Sequence, residues 1–184
     1  MTKNQSVPRD QRDRSDLRTI YVDISQIVIG RSDDQLKIPA LGSCVGLVIY
    51  PKNLQSPNRC AIMGHIMLPE SHERKITKNQ SKEELPAKYS DKAIPHMIEK
   101  LQQLGYPPKT FEAKLVGGAK MFGKSSDTLD IGKENIEASK NYLKLHKIPL
   151  AKQFTGGDRG MNVKFIVRDY KMVVTPTGGS SVIL

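Results

Sequence analysis

The residues in this chain best suited to chemistry are one thiol and one imidazole, each beside an apolar stretch. Cys44 lies in Leu41-Gly42-Ser43-Cys44-Val45-Gly46, a run of small residues that opens onto the apolar stretch Val45 to Tyr50. His65 lies in a second apolar stretch, Cys60 to Leu68, which follows a Pro-bounded loop from Pro51 to Asn58. A hairpin with Tyr50 opposite Arg59 would set Cys44 directly opposite His65, and Cys60 opposite Ile49. Cross-strand Cβ atoms are about 4.5–5.5 Å apart, within reach of a thiol–imidazole hydrogen bond. Such a pair is the minimal unit of cysteine nucleophilic catalysis. The alternatives are a buried small residue at Cys44 and a satisfied core histidine at His65. Gly42, Ser43 and Gly46 weigh against them, because small residues let a substrate come close to the backbone. Backbone N–H groups between Gly42 and Val45, Ser43 included, could then hold an oxyanion.

Other motifs carry less. Gly118-Ala-Lys-Met-Phe-Gly123-Lys124-Ser125 fits the G-x-x-x-x-G-K-[ST] pattern of phosphate-cradling loops and follows a strand. That chemistry needs a helix starting at the lysine, with its N-terminus facing the phosphates. Ser126 to Gly132 reads instead as loop, and Met121 and Phe122 crowd the turn. Nucleotide binding through Gly118 to Ser125 is therefore not the favoured reading and stays open as an alternative, to be tested by whether ATP or GTP raises the melting temperature. His72 falls in a charged loop, His96 lies mid-helix and His146 ends a helix, where a cation suits the dipole. Asp91 reads as a helix cap. Gly156-Gly157-Asp158-Arg159-Gly160 reads as a turn that could line a cleft, with Arg159 meeting acidic substrate. Two cysteines make neither a disulfide framework nor a metal site, and Cys60 reads as a small core residue. No metal and no cofactor is expected.

These residues must be positioned by a chain of 184 residues, enough for one domain with tails and a core that needs no disulfides. Residues 1–18 alternate in charge without apolar content and read as a mobile tail. Residues 19–177 read as one domain, and 178–184 as a loose tail. Tyr21 to Ile24, Ile27 to Ile29 and Leu36 to Ile38 read as short strands, followed by the Cys44/His65 hairpin and a long polar loop over 70–87. Ala93, Ile94, Met97, Ile98, Leu101 and Leu104 recur at helical spacing between Lys88 and Leu104. A strand over 111–116, a helix over 135–146, a strand over 148–154 and a hairpin of 163–167 with 171–174 follow. The expected fold is α/β (α+β), with mixed β-sheet layers flanked by two main helices.

A net charge of +10 suits an acidic partner. The lysines are scattered, aromatic residues are few and no nucleic-acid motif is present, so nucleic acid is not the expected partner. No apolar run approaches the roughly 20 residues that span a bilayer, and the first residues lack a signal-like stretch. The expectation is a cytoplasmic protein without membrane insertion, its Cys44 thiol kept reduced.

Six blocks in order resemble the CheD family of chemoreceptor glutamine deamidases. They are Leu41-Gly42-Ser43-Cys44-Val45, Gly64-His65-Ile66-Met67-Leu68-Pro69, Lys88-Tyr89-Ser90-Asp91, Gly117-Gly118-Ala119 with Met121-Phe122, Ile131-Gly132 with Asn135, and Gly156-Gly157-Asp158-Arg159-Gly160. The resemblance covers roughly residues 20 to 175. It implies a fold related to the deamidase domains of cytotoxic necrotizing toxins, with Cys44 as nucleophile and His65 as base. It also implies methyl-accepting chemoreceptors as protein substrate, with a CheC-like phosphatase as a further candidate partner. The family's third catalytic residue is a threonine six positions before the cysteine, and this chain has Ile38 there, without a hydroxyl. Either a nearby hydroxyl such as that of Ser43 or a backbone carbonyl takes its place, or activity is reduced. A catalytically weak module that regulates chemotaxis by binding is therefore a second open reading.

Overall fold

The computed structural model describes residues 17–52, 58–71, 85–121 and 130–184, and among these the short apolar runs become ten strands and the two periodic segments become helices. The strands are β1 (Arg18–Tyr21), β2 (Ile27–Arg31), β3 (Asp34–Leu41), β4 (Val45–Pro51), β5 (Cys60–Ile66), β6 (Phe111–Gly117), β7 (Leu150–Thr155), β8 (Met161–Ile166), β9 (Lys171–Pro176) and β10 (Val182–Ile183). The helices are α1 (Ser90–Gln103) and α2 (Ile131–Leu145). One mixed sheet has the order β1-β3-β8-β9-β10 and the other β2-β5-β4-β6-β7. The pairs β1/β3 and β6/β7 are parallel and the rest antiparallel, giving the expected layered α+β architecture.

Burial explains the layering. All seven residues of β4 and of β5 are buried, as befits strands covered on both faces. Val45, Leu47 and Ile49 pack with Ile94, Met97 and Leu101 of α1 and Leu143 of α2. Val48, Tyr50, Ala61 and Met63 point the other way, onto Leu36, Ile38, Val163 and Phe165 of the first sheet. The strand period of two thus sorts each strand into a helix-facing and a sheet-facing half. By that alternation Gly46 and His65 belong to the sheet-facing half.

The hairpin register differs from the expected one. Gly46, not Cys44, lies opposite His65, and Ile49 pairs with Ile62 rather than Cys60. The long connection around residues 53–57, which lies outside the described residues, carries no tight-turn signal that would have fixed the pairing. The difference is two residues, so each side chain keeps its face, whereas a slip of one would have reversed it. Cys44 becomes a diagonal neighbour of His65 on the same face. Cys60 is fully buried, as expected of a core residue.

Three other boundaries move. α2 starts at Ile131 rather than Asn135, because the Asp130 side chain accepts a hydrogen bond from Lys133 N at 3.0 Å and caps it. Gly132, a poor helix former, made that first turn look like loop. Residues 178–184, expected to be loose, turn back at Gly178 and pair with β9. Leu184 and Met172 exchange backbone hydrogen bonds of 2.8 and 3.2 Å there, and Lys114 Nζ donates to Leu184 O at 2.8 Å. Arg18, placed at the end of the tail, instead opens β1 and reaches the Asp34 carboxylate at 2.8 Å. The expectations for residues 1–16 and for most of the 70–87 loop lie outside the described residues. No described helix is long and apolar enough to cross a membrane.

Candidate active site

Cys44 sits in a three-residue connection, Gly42 to Cys44, that carries the chain from β3 of one sheet to β4 of the other. All three carbonyls of this turn are held. Gly42 O accepts from Ala119 N at 2.9 Å and Cys44 O from Gly118 N at 2.8 Å. Ser43 O accepts from Asn135 Nδ2 at 3.0 Å. The two backbone partners lie just past the end of β6, where Gly117 and Gly118 adopt φ of +95° and +70°. A Cβ on Gly117 would stand 2.5 Å from Cys44 O, so only glycine allows this approach. In a trans peptide C=O and N–H point in opposite directions. Anchoring the Gly42 and Ser43 carbonyls therefore turns the N–H groups of Ser43 and Cys44 away from their partners. Val45 already belongs to the sheet, flanked by Ile66 and Gly117.

His65 is buried, 5% exposed. Its Nδ1 lies 3.2 Å from Val22 O. A carbonyl can only accept, so Nδ1 carries the proton and Nε2 is left with a free lone pair, the tautomer a general base needs. Burial pushes the imidazole below its ordinary pKa, opposed by the Val22 bond and by the charge of Asp23. Burial also raises the Cys44 thiol, and its own amide only partly offsets this. The resting pair is thus a neutral thiol and a neutral imidazole.

Both groups line one cavity of about 510 Å³. Val22, Asp23 and Ile24 form one side and Pro39, Ala40 and the Gly42–Cys44 turn another, with Met121 as a further wall. A β-bulge shapes the second side: Ile38 pairs with Val163 and Leu41 with Met161, leaving Pro39 and Ala40 opposite the single residue Asn162, with Ala40 at φ +50°. Ile38 is fully buried, and its Cδ1 would lie 3.1 Å from a Cβ on Gly46, the residue opposite His65. Position 38 is therefore near His65 but offers only a hydrocarbon side chain.

Other expected residues fall elsewhere. Arg159 is exposed, 3.8 Å from Asp158, and does not line the cavity, although its turn abuts the cavity-side segment through Lys120 N and Gly157 O at 2.8 Å. Asp91 does not cap its own helix: Tyr89 is the N-cap, and Asp91 accepts from both the backbone N–H and the hydroxyl of Ser71. The lysine and serine of the phosphate-loop match lie outside the described residues. Among the described residues no cluster of three His, Cys, Asp or Glu side chains could hold a metal. Val22 escaped sequence reasoning because its contribution is a main-chain carbonyl. Asn135 did carry a signal, as a polar, weakly helix-forming residue within an apolar helical pattern.

Comparison with known proteins follows this geometry. A family model described as CheD chemotactic sensory transduction matches residues 67–176, more than half of the chain. A Bacillus velezensis protein named chemoreceptor glutamine deamidase CheD is 36% identical over 154 residues, covering 83% of this chain and 87% of the relative. A Methanococcus maripaludis protein is 35% identical over 155 residues, covering 84% and 93%, and a Clostridium botulinum protein is 34% identical over 166 residues, covering 89% and 96%. Both of these are named probable chemoreceptor glutamine deamidase CheD. Stretches of that length necessarily include Cys44 and His65, which precede the family-model match. The chain belongs to the CheD family.

Proposed function

We propose that the chain deamidates glutamine side chains of methyl-accepting chemoreceptors to glutamate, in the cytoplasm, and so tunes chemotaxis signalling. The observation that carries this reading is the shared cavity of Cys44 and His65, with His65 already in the tautomer of a base. Cys44 Sγ attacks the carboxamide carbon while its proton passes to His65 Nε2. The N–H groups of Ser43 and Cys44 receive the oxyanion, and Gly42 and Val45 support them as hinge and sheet anchor. The imidazolium returns its proton to the nitrogen, the C–N bond breaks and ammonia leaves a thioester. His65 then draws a proton from water, which attacks the thioester; the C–S bond breaks, the imidazolium returns the proton to the Cys44 sulfur, and glutamate and the free thiol result. A neutral resting pair suits this sequence, since the proton moves only as the new bond forms. Arg159, exposed beside the cavity segment, would meet receptor carboxylates outside the cavity. A purified receptor cytoplasmic domain, incubated with this protein, is expected to release ammonia with specific glutamines gaining the mass of glutamate. Absence of both products overturns the reading.

The regulatory-module reading rests on Ile38, and the Val22 carbonyl weakens it by serving as the acceptor for His65 Nδ1. Under the deamidase reading, Ile38→Thr is expected to change kcat/KM by less than about threefold. It is also expected to lower unfolding free energy by about 2–4 kcal/mol, because a hydroxyl replaces the two-carbon Cγ1–Cδ1 branch in a fully buried site. A tenfold gain in activity from Ile38→Thr would show that the carbonyl is no substitute.

A further inference from the structure

The Asn135 side chain sits at the Cys44 end of the ladder between the nucleophile strand and the base strand, where their pairing stops. The last pair between β4 and β5 is Val45 with Ile66. The next would be Cys44 with Met67, but their backbone groups are used elsewhere: Cys44 O accepts from Gly118 N and Met67 N donates to Ala87 O. Asn135, fully buried on α2, bridges the gap. Its single amide nitrogen donates one proton to Ser43 O and the other to Met67 O, both at 3.0 Å. We propose that Asn135 is a positioning residue for the reaction, holding the Ser43–Cys44 peptide so that its N–H faces the oxyanion while clasping the turn to the end of the base strand.

Two observations carry this beyond ordinary helix–sheet packing. The first is direction: a bond to Ser43 O sets the plane of the very peptide whose N–H is that of Cys44. The second is what the side chain forgoes. Asn135 Oδ1 is buried and has no hydrogen-bond partner among the described residues. Leaving a buried acceptor unpaired is destabilising, so the group is ill-suited to a role in stability alone. Its placement favours the two donors, both aimed at the segments that carry Cys44 and His65. Neighbouring Ser139, also fully buried, shows the contrasting case, its hydroxyl paired with that of Ser90 at 3.1 Å as a link between the two helices.

The inference rests on the deamidase reading of this site, and the test separates the two. Asn135→Ala and Asn135→Ser would be assayed for receptor deamidation and, without substrate, for iodoacetamide alkylation of Cys44 across pH, well below each variant's melting temperature. The expected result for Asn135→Ala is a kcat lower by about 100-fold, the scale of losing one oxyanion donor, with KM within threefold. The alkylation profile should move to higher pH, because the Cys44 amide no longer steadies the thiolate. Asn135→Ser keeps one donor and should fall between Asn135→Ala and wild type; it also serves if Asn135→Ala fails to fold. A lower melting temperature with wild-type kcat and alkylation profile overturns the proposal and makes Asn135 structural. If wild type releases no ammonia, the deamidase reading fails on its own, and the alkylation profile alone decides whether Asn135 positions Cys44.

Discussion

Cys44→Ala is expected to lower ammonia release from receptor glutamines by about 1,000-fold or more, the scale on which loss of a covalent nucleophile is felt. Among the described residues no neighbour can replace it. The Ser43 hydroxyl belongs to a turn fixed by its carbonyls, and Cys60 is fully buried in the helix-side core, away from the cavity. The fold should survive, since Cys44 is only partly buried and alanine fits its turn. Binding of the receptor domain should change little, so the loss appears in kcat. Labelling offers an orthogonal check: iodoacetamide should modify Cys44 and spare Cys60 in the folded protein, with activity lost in proportion. Retention of full chemotactic effect by Cys44→Ala in cells would move the assignment to the regulatory module.

His65→Gln is expected to lower kcat by about 100- to 10,000-fold, the range over which a positioned acid–base group contributes. Its pH dependence is the sharper signature. Burial holds the imidazole below its ordinary pKa of about 6.5, so wild-type kcat/KM should stay level through neutral pH and decline only under mildly acidic conditions. The variant should lose that acid limb. Stability follows the same group. Between the lowered folded pKa and the unfolded value of about 6.5 the unfolded chain binds more protons, so stability falls as pH drops through that window. Chemical denaturation of His65→Gln between pH 7 and 5 should show a shallower decline than wild type. An unchanged acid limb in the variant would assign the titration to another group and remove His65 as base.

Much of this was legible in the chain. Apolar runs of strand length marked β4, β5 and β6, and helical spacing marked α1, because burial on a face imposes a period that side chains must obey. Cys44 and His65 could be assigned to one face for the same reason. Their offset could not, since the connection at 51–59 is too long for turn chemistry to set register. The acceptor for His65 was invisible in kind: Val22 acts through a carbonyl that every residue has, and only the fold decides which carbonyl arrives. β10 was missed because a two-residue strand has no pattern of its own and exists by pairing with β9. Gly132 misled for a related reason, being kept for a close approach (a Cβ would meet Gly118 O at 2.5 Å) rather than for its helix propensity.

The carbonyl of Val22, the amides of Ser43 and Cys44 and the amides of Gly118 and Ala119 are all main-chain groups, and they frame a site whose proposed chemistry uses two side chains, Cys44 and His65. Apparatus written in the backbone can drift in sequence without drifting in shape, provided the glycines that permit its close contacts remain. A motif search that demands a hydroxyl at position 38 would discard this chain, although its histidine already has an acceptor in place. A geometric search keyed to a carbonyl within hydrogen-bond reach of the imidazole would keep it, along with any relative whose side-chain signature has eroded in the same way.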